Sequence, residues 1–281
     1  MHYIEINFGS NVKACRIAIE DQCLANKLSF LFDVNSEEHL RFKRTDHIIT
    51  GNTEDGYSFD SEISYLPERV VLGKLDAALD KHIRAAATPV LCTIHSSGVA
   101  TKNGKAAALL GISYAGKTTL GMACAMGNLA HIGDEFGFFD LLDGYYSHVH
   151  YPLCVREQTW SLLNTTPPAS SLRIETPYGN ITDMVAAHSV NGLALWEKGP
   201  LPLRVVIVPR RITDMSPALR RLSVAEWPDV LMTSIDAPLP RDKLFRRIVH
   251  IFGKQNIAVF EAHYDNIWDG SKLIEQALSH C

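Results

Sequence analysis

The sequence lacks the features that would place it in a membrane or in a disulfide-bonded scaffold. No apolar run approaches the roughly 18 residues that a transmembrane helix requires. Residues 1–20 show no basic segment followed by an apolar stretch, as a secretory signal would. The six cysteines are scattered, without a C-x-x-C pair, which argues against a zinc ribbon, a redox motif and a disulfide framework. We therefore expect a cytoplasmic protein with reduced thiols and no membrane partner.

An excess of basic residues is also missing. The formal net charge is −4, so the chain carries no electrostatic footprint for nucleic acid. Short basic pairs do occur, and we interpret them as solvated faces: Arg210–Arg211, Arg220–Arg221 and Arg246–Arg247. With 46% hydrophobic and 21% charged residues among 281, the composition predicts a folded protein with a sizeable core.

The apolar pattern predicts an α/β protein that begins with a small α+β region. The first part of the chain indicates strands at Tyr3–Phe8 and Cys15–Ile19, a hairpin turn at Asp55–Gly56 and a helix at Leu72–Ala87. The Thr88–Pro89 step ends that helix. We place a domain boundary there, so that residues 1–85 form an N-terminal region of undecided role and residues 86–281 form the main domain.

Short apolar runs punctuated by glycine follow this boundary. Asn103–Gly104 predicts a hairpin, because Asn-Gly between two apolar runs favours a two-residue turn. Asp143–Gly144 predicts a second turn, between Phe136–Leu142 and Tyr145–Val149. Residues 160–200 are rich in Pro, Gly, Ser and Thr, which indicates long surface loops with short strands. Helices are predicted at Lys117–Gly127, Arg241–Phe252 and Ser271–Ser279. The predicted strands are Val90–Ile94, Gly98–Thr101, Ala106–Leu110, Leu129–Gly133, Phe136–Leu142, Tyr145–Val149, Arg204–Val208 and Asn256–Ala262.

A phosphate-binding loop is the most specific motif in the chain. The segment G-I-S-Y-A-G-K-T-T satisfies G-x-x-x-x-G-K-[ST], with an apolar strand before it and a helical segment after it. Glycines let the backbone N–H groups turn toward phosphate oxygens, and the helix adds its positive N-terminal end. We expect the lysine to neutralise β- and γ-oxygens and the first threonine to ligate Mg²⁺. The expected nucleotide-binding residues are Gly111, Ile112, Ser113, Tyr114, Ala115, Gly116, Lys117, Thr118 and Thr119.

Two positions in this loop carry narrower expectations. Thr119 is given no catalytic role, because it is also explained as an ordinary residue of the helix. Tyr114 either lies over the nucleotide or caps the loop, and the sequence does not decide between these interpretations.

An acidic pair follows the next predicted strand. Asp134 and Glu135 come directly after Gly133, and a carboxylate at the end of a neighbouring strand commonly holds Mg²⁺ in phosphate-loop proteins. Adjacent residues on an extended segment point to opposite faces, so one acid could manage the metal while the other deprotonates an incoming hydroxyl. A surface turn is the alternative interpretation, since acids beside glycine are common there.

Three histidines and one arginine near these motifs could also belong to the site or have ordinary structural roles. His95 ends the predicted strand Val90–Ile94, and it either lies beside the phosphates, pairs with Asp134 or is an ordinary hydrogen-bonded histidine. Arg156 is the candidate cation that neutralises charge on the transferred phosphoryl group, with a surface salt bridge as the alternative. His148 and His150 alternate on a predicted strand and are interpreted as solvent-facing, because two histidines without a third ligand make a poor metal site.

The succession of these segments resembles the HPr serine kinases, and more closely the HPr-kinase-related members of the PEP carboxykinase-like P-loop group. The resemblance covers residues ~90–281 and rests mainly on the order of motifs. The motifs are His95–Val99, Gly111–Thr118, Ile132–Glu135, Asp143–Gly144, Tyr151–Arg156, Ile207–Arg210 and Leu222–Glu226.

This resemblance implies a PEP carboxykinase-like P-loop kinase core that uses ATP and Mg²⁺. It implies that Asp134 is the general base for a seryl or threonyl hydroxyl, that Glu135 and Thr118 manage the metal, and that Arg156 lies near the phosphates. Its partners would be a nucleotide and a peptide or protein acceptor, such as the precursor peptide that lasso peptide kinases modify. A homo-oligomer is left open.

The chain departs from the family in two places. Glu135 stands where the main family has Asp, and the Glu-x-Arg-Gly-x-Gly signature is absent, with Arg173–Gly179 as the nearest stretch. Phosphorolysis of phosphoserine is therefore not expected. The alternative function is a nucleotide-gated binding module without catalysis, which would use the same loop but would not need Asp134 as a base. Decarboxylating carboxykinase chemistry is disfavoured, since that class has a much longer chain.

Overall fold

A computed structural model describes the chain except for residues 7–12, 34–45, 53, 61–65, 113, 150 and 177–178. The strands are β1 His2–Ile6, β2 Cys15–Ile19, β3 His47–Asn52, β4 Gly56–Phe59, β5 Leu91–Ala100, β6 Ala106–Leu110, β7 Ala130–Gly133, β8 Phe136–Asp140, β9 Tyr145–His148, β10 Leu153–Val155, β11 Leu172–Glu175, β12 Ile181–Val185, β13 Leu201–Arg211, β14 Ala218–Arg221, β15 Ile235–Asp236 and β16 Ala258–Tyr264. The α-helices are α1 Gln22–Leu31, α2 Glu68–Arg84, α3 Lys117–Met126, α4 Glu157–Leu162, α5 Trp227–Leu231, α6 Arg241–Gln255 and α7 Ile267–Ser279.

The chain divides into two compact units. The first unit comprises residues 1–86, 150–161 and 165–190, and the second comprises residues 87–149, 162–164 and 191–281. The sequence analysis expects one continuous domain at 86–281, whereas the structure groups much of 150–190 with the N-terminal region. Packing of α2 on β11 explains this grouping. A Cβ at Gly73 of α2 would stand only 1.8 Å from the carbonyl oxygen of Glu175 in β11. The Arg69 guanidinium of α2 lies 2.9 Å from the Glu175 carboxylate.

The first unit contains a four-stranded and a three-stranded sheet. The four-stranded sheet has the order β1-β2-β3-β4, with β2 and β3 parallel and the outer pairs antiparallel. The predicted turn at Asp55–Gly56 connects β3 and β4, and Gly56 has a φ of 92°. The predicted strand Tyr3–Phe8 lies partly outside the described residues. The three-stranded sheet has the order β10-β12-β11, so residues 160–200 hold two of its strands among surface loops, as expected.

A nine-stranded mixed sheet forms the second unit. Its main path runs β14-β16-β13-β6-β5-β8-β9, and β7 and β15 both pair with β5. The strands β6, β13 and β16 are parallel to one another, whereas β5 is antiparallel to β6 and β8. The Asn103–Gly104 and Asp143–Gly144 turns join β5 to β6 and β8 to β9, as predicted. The carboxyl ends of three parallel strands therefore meet at one edge of this sheet.

Helices cover both faces of the nine-stranded sheet. All five residues of β6 are buried, and alternate side chains along a strand point to opposite faces. Ala106, Ala108 and Leu110 join the apolar cluster that includes Ile248 and Phe252 of α6. On the other face, a Cβ at Gly121 of α3 would contact Leu109, and α3 also packs on α7. These contacts fix the position where β6 ends and α3 begins.

One predicted strand break is wrong. Val90–Ile94 and Gly98–Thr101 are parts of a single ten-residue strand, β5, because β5 pairs with β8 along its first half and with β6 along its second half. His95 therefore lies within a strand and does not end one. Among the described residues, no helix is long and apolar enough to cross a lipid bilayer.

Candidate functional site

The loop between β6 and α3 has the backbone conformation that its glycines predict. Gly111 and Gly116 have φ angles of 151° and 83°, and α3 begins directly after Gly116. Tyr114 also has a positive φ, of 73°, which is unusual for a bulky side chain and is a form of strain that concentrates at functional sites. Its side chain is 63% exposed, and Ser113 lies outside the described residues. We call residues 111–118 the glycine-lysine loop.

Lys117 folds back over this loop. Its Nζ donates to the carbonyl oxygens of Gly111, at 3.0 Å, and Ile112, at 3.3 Å, and the residue is buried. The ammonium group is thus held by backbone oxygens at the mouth of the loop. An amine in this position supplies positive charge where the loop's N–H groups converge.

Asp134 is brought against the first turn of α3. The Thr118 hydroxyl donates to Asp134 Oδ2 at 2.7 Å, and Asp134 is only 1% exposed. Burial raises the pKa of the Asp134 carboxyl, since a carboxylate loses hydration there, while the Thr118 hydrogen bond and the Lys117 charge oppose this effect. The structure therefore brings together three predicted site residues that are separated by up to 17 positions in the sequence.

A tight turn between β7 and β8 places this carboxylate. The N–H of Phe136 donates to the Asp134 carbonyl oxygen, and the N–H of Ser96 donates to the Glu135 carbonyl oxygen. Glu135 has a φ of 64°. The expectation that both acids lie on one extended segment is therefore wrong, because Glu135 adopts the left-handed conformation of a turn.

The two acids have different partners as a result. The Glu135 carboxylate lies 3.2 Å from Nδ1 of His95, whereas Asp134 faces Thr118. The observed ion-pair partner of His95 is Glu135, and a position of His95 beside the phosphates stays a prediction. The two acids face different partners because of the turn and not because of strand alternation, and the expected division of work between a metal ligand and a base stays a prediction.

A buried polar network lies next to this turn, and the sequence analysis missed it. The Tyr146 hydroxyl lies 2.5 Å from His148 Nε2 and 2.9 Å from the Ser96 hydroxyl. The interpretation of His148 as solvent-facing is wrong. Its ring packs against Gly98 and Gly133 so closely that a Cβ added to either glycine would stand within 3 Å of a ring atom. Burial, with His131 and His95 nearby, holds the pKa of His148 well below its ordinary value. His150 lies outside the described residues.

Comparison with known proteins adds no family assignment. No protein-family model and no curated protein matches this chain.

The oxygen atoms at Thr118 and Asp134 fit a small hard cation. Mg²⁺ prefers oxygen ligands and is commonly bound by one or two carboxylates together with substrate phosphates. A hydroxyl and a carboxylate 2.7 Å apart at the mouth of a phosphate loop supply this donor set. Within the described part of the chain, no group of three or more His, Cys, Asp or Glu side chains is arranged to hold a metal ion.

Arg156 belongs to a different compact unit from the other predicted site residues. It lies between β10 and α4 in the first unit, whereas the glycine-lysine loop and Asp134 belong to the second unit. Its role near the phosphates stays a prediction. Thr119 lies in the first turn of α3, as the sequence analysis expects of an ordinary helix residue.

Proposed function

We propose that this protein is an ATP-dependent kinase that transfers the γ-phosphoryl group to a serine- or threonine-type hydroxyl of a peptide or protein. The single observation that carries the proposal is the contact between Thr118 and the buried Asp134 carboxylate beside Lys117. A phosphate loop alone supports nucleotide binding. A buried carboxylate at its mouth adds a group that can accept a proton.

The glycine-lysine loop would hold the β- and γ-phosphates of ATP. Its backbone N–H groups and the N-terminus of α3 favour anions, and the Lys117 ammonium would exchange its two carbonyl partners for phosphate oxygens. Thr118 and Asp134 would hold Mg²⁺, which neutralises charge on the phosphates when it is bound. Glu135, which pairs with His95, would support the turn that carries Asp134.

Asp134 would act as the general base. As the acceptor oxygen forms its bond to the γ-phosphorus, the bond from that phosphorus to the β–γ bridging oxygen breaks, ADP leaves, and the acceptor's proton moves to Asp134. A carboxylate that is positioned within reach of the acceptor hydroxyl can accept its proton as the new bond forms. Most of the acceleration would come from positioning and charge neutralisation, as in other phosphoryl transfers.

The proposal extends to fold and family. The nine-stranded mixed sheet with helices on both faces and a phosphate loop after β6 supports a PEP carboxykinase-like P-loop core of the HPr-kinase-related type. The scattered free cysteines are compatible with a reducing compartment, and we place the enzyme in the cytoplasm. A peptide is the proposed acceptor class, on the resemblance to lasso peptide kinases.

Mass spectrometry of an acceptor panel tests the proposed function. Serine- and threonine-containing peptides and proteins are incubated with enzyme, ATP and Mg²⁺, beside a Lys117→Ala control. We expect one phosphate to be added to an acceptor and the rate to fall at least about 100-fold in the control, because the variant lacks the cation at the phosphates. ATP that binds tightly without transfer to any acceptor would instead support the nucleotide-gated binding module.

A further inference from the structure

Tyr264 ends β16 with its ring buried between two helices. The residue is 1% exposed, and its ring lies where α7 and α3 approach each other. A Cβ at Gly270 would stand 2.9 Å from Tyr264 Cγ and 3.0 Å from a methyl group of Leu120. Only a residue without a side chain fits at this position of α7, so Gly270 leaves the room that the tyrosine ring occupies.

The Tyr264 hydroxyl points to the glycine-lysine loop. A Cβ built on Gly116 would lie 3.7 Å from the Tyr264 hydroxyl oxygen, and Gly116 is the residue directly before Lys117. The parallel pairing of β6 with β13 and of β13 with β16 brings the carboxyl ends of these strands to the same edge of the sheet. Ligands of open α/β sheets bind at this kind of edge.

The hydroxyl has no hydrogen-bond partner within the described part of the chain. Although the residue is buried, its hydroxyl oxygen is not fully enclosed, so a ligand oxygen can reach it. Burial raises the pKa of Tyr264 to about 12, so at neutral pH the group carries its proton. It is therefore a neutral donor, suited to an anionic oxygen.

β13, the strand next to β16, places a positive charge beside Tyr264. Arg211 is the register partner of Tyr264 on β13, and its Nε donates to the Asp265 carbonyl oxygen. The Arg211 charge opposes the effect of burial on the Tyr264 pKa. A donor beside a guanidinium favours an anion over a neutral or cationic ligand.

We infer that the Tyr264 hydroxyl is a phosphate-binding group of the glycine-lysine loop, which donates a hydrogen bond to a phosphate oxygen of the bound nucleotide. This inference rests on the proposed function. It adds a nucleotide-binding residue 148 positions after Gly116, which the loop motif does not include.

A Tyr264→Phe variant tests the inference, because it removes the hydroxyl and keeps the ring that packs between α3 and α7. The dissociation constants of ATP and ADP, each with Mg²⁺, are measured by calorimetry for wild type and variant, beside melting temperatures of the free proteins. We expect both nucleotides to bind about tenfold more weakly, as for the loss of a hydrogen bond to a charged group, with a melting temperature close to wild type. Tyr145→Phe is the matched control, since Tyr145 is exposed.

Two results would overturn the inference. If Tyr264→Phe binds ATP and ADP with wild-type affinity, with or without a change in melting temperature, the hydroxyl contacts no phosphate and the tyrosine only packs. If wild type itself binds neither nucleotide, the proposed function fails together with this inference. Wild-type binding separates the two failures, because it is measured independently of the variant.

Discussion

At the scale of single residues, the site depends on a carboxylate that is almost completely buried. Asp134 is 1% exposed, and the groups around its carboxylate include the Thr118 hydroxyl and the Lys117 ammonium. A charge in such a position is costly unless it is paired and hydrogen-bonded.

His131 gives the first prediction at this scale. Burial lowers the pKa of His131 to about 4, and its Nε2 has no partner in the described structure. The unfolded chain would bind a proton near pH 6.5 and the folded chain only near pH 4. The free energy of unfolding should therefore fall by about 3 kcal/mol as the pH drops from 6.5 to 4, with His148 adding to the same trend.

Denaturant titrations at a series of pH values measure this slope. A His131→Gln variant should show a flatter dependence between pH 4 and 6.5, because glutamine does not titrate. His250→Gln is the control, since His250 is exposed. Equal slopes in wild type and His131→Gln would mean that His131 is protonated in the folded state.

At the scale of secondary-structure elements, the β7–β8 turn is fixed by close packing on β9. A Cβ at Gly133 would stand 2.5 Å from His148 Cβ and 2.6 Å from Cγ, and neither atom can move without moving β9. Gly133→Ala should therefore lower the free energy of unfolding by about 1–3 kcal/mol, the usual cost of overpacking. Thermal and denaturant unfolding measure this change.

A helix glycine provides the matched control for this prediction. Gly253 of α6 has open space around its Cβ position, so Gly253→Ala should leave stability unchanged or raise it by up to about 1 kcal/mol through helix propensity. If both variants lose the same stability, the effect comes from glycine replacement in general and not from the contact with His148.

Elements with a clear local signal are the ones that sequence reasoning predicts well. The β6–loop–α3 segment and both Gly-containing hairpins of the second unit are found where the sequence places them. Helix α1 was missed although its signal is present: Asp21 caps its first turn, and apolar residues follow at Leu24, Leu28 and Leu31. Helix α7 begins four residues before its predicted start because Asn266 caps it.

Contacts between distant residues could not be predicted in this way. The Ser96–Tyr146 bond joins residues 50 positions apart, and His95 meets Glu135 only because β5 continues past the predicted break. Periodicity describes which face of one element is apolar, but it does not report which element lies opposite. The acidic pair was therefore found from sequence, whereas the side chains that orient it were not.

At the scale of the whole molecule, the first unit is built from distant parts of the chain. It contains α1 and α2 from the first part of the chain. It also contains β10, β11 and β12, which follow β9 of the second unit in sequence and whose buried residues include Leu153, Ile174 and Met184. The Tyr151 hydroxyl donates to Asp76 of α2 within this unit. The segment 150–190 thus depends on residues 1–86 for its packing.

Removal of the N-terminal region should therefore damage more than that region. A fragment of residues 87–281 would expose apolar side chains of β10–β12 that pack within the first unit. We expect it to melt at a lower temperature than the full chain and to aggregate more readily. Circular dichroism and light scattering of the two proteins measure this, and equal behaviour would show that 150–190 folds without its partners.

The central claim is that Asp134 takes part in phosphoryl transfer and does more than help to bind the Mg²⁺ of the nucleotide. The most direct measurement compares wild type with Asp134→Asn for the dissociation constant of ATP and for the single-turnover rate of transfer to an acceptor. Asparagine keeps the size of the side chain and can still accept from Thr118, but it is a far weaker base. We predict that ATP with Mg²⁺ binds no more than about tenfold more weakly, because the asparagine carbonyl oxygen can still ligate Mg²⁺, whereas transfer falls by about 100- to 10,000-fold. Transfer at the wild-type rate would contradict the claim.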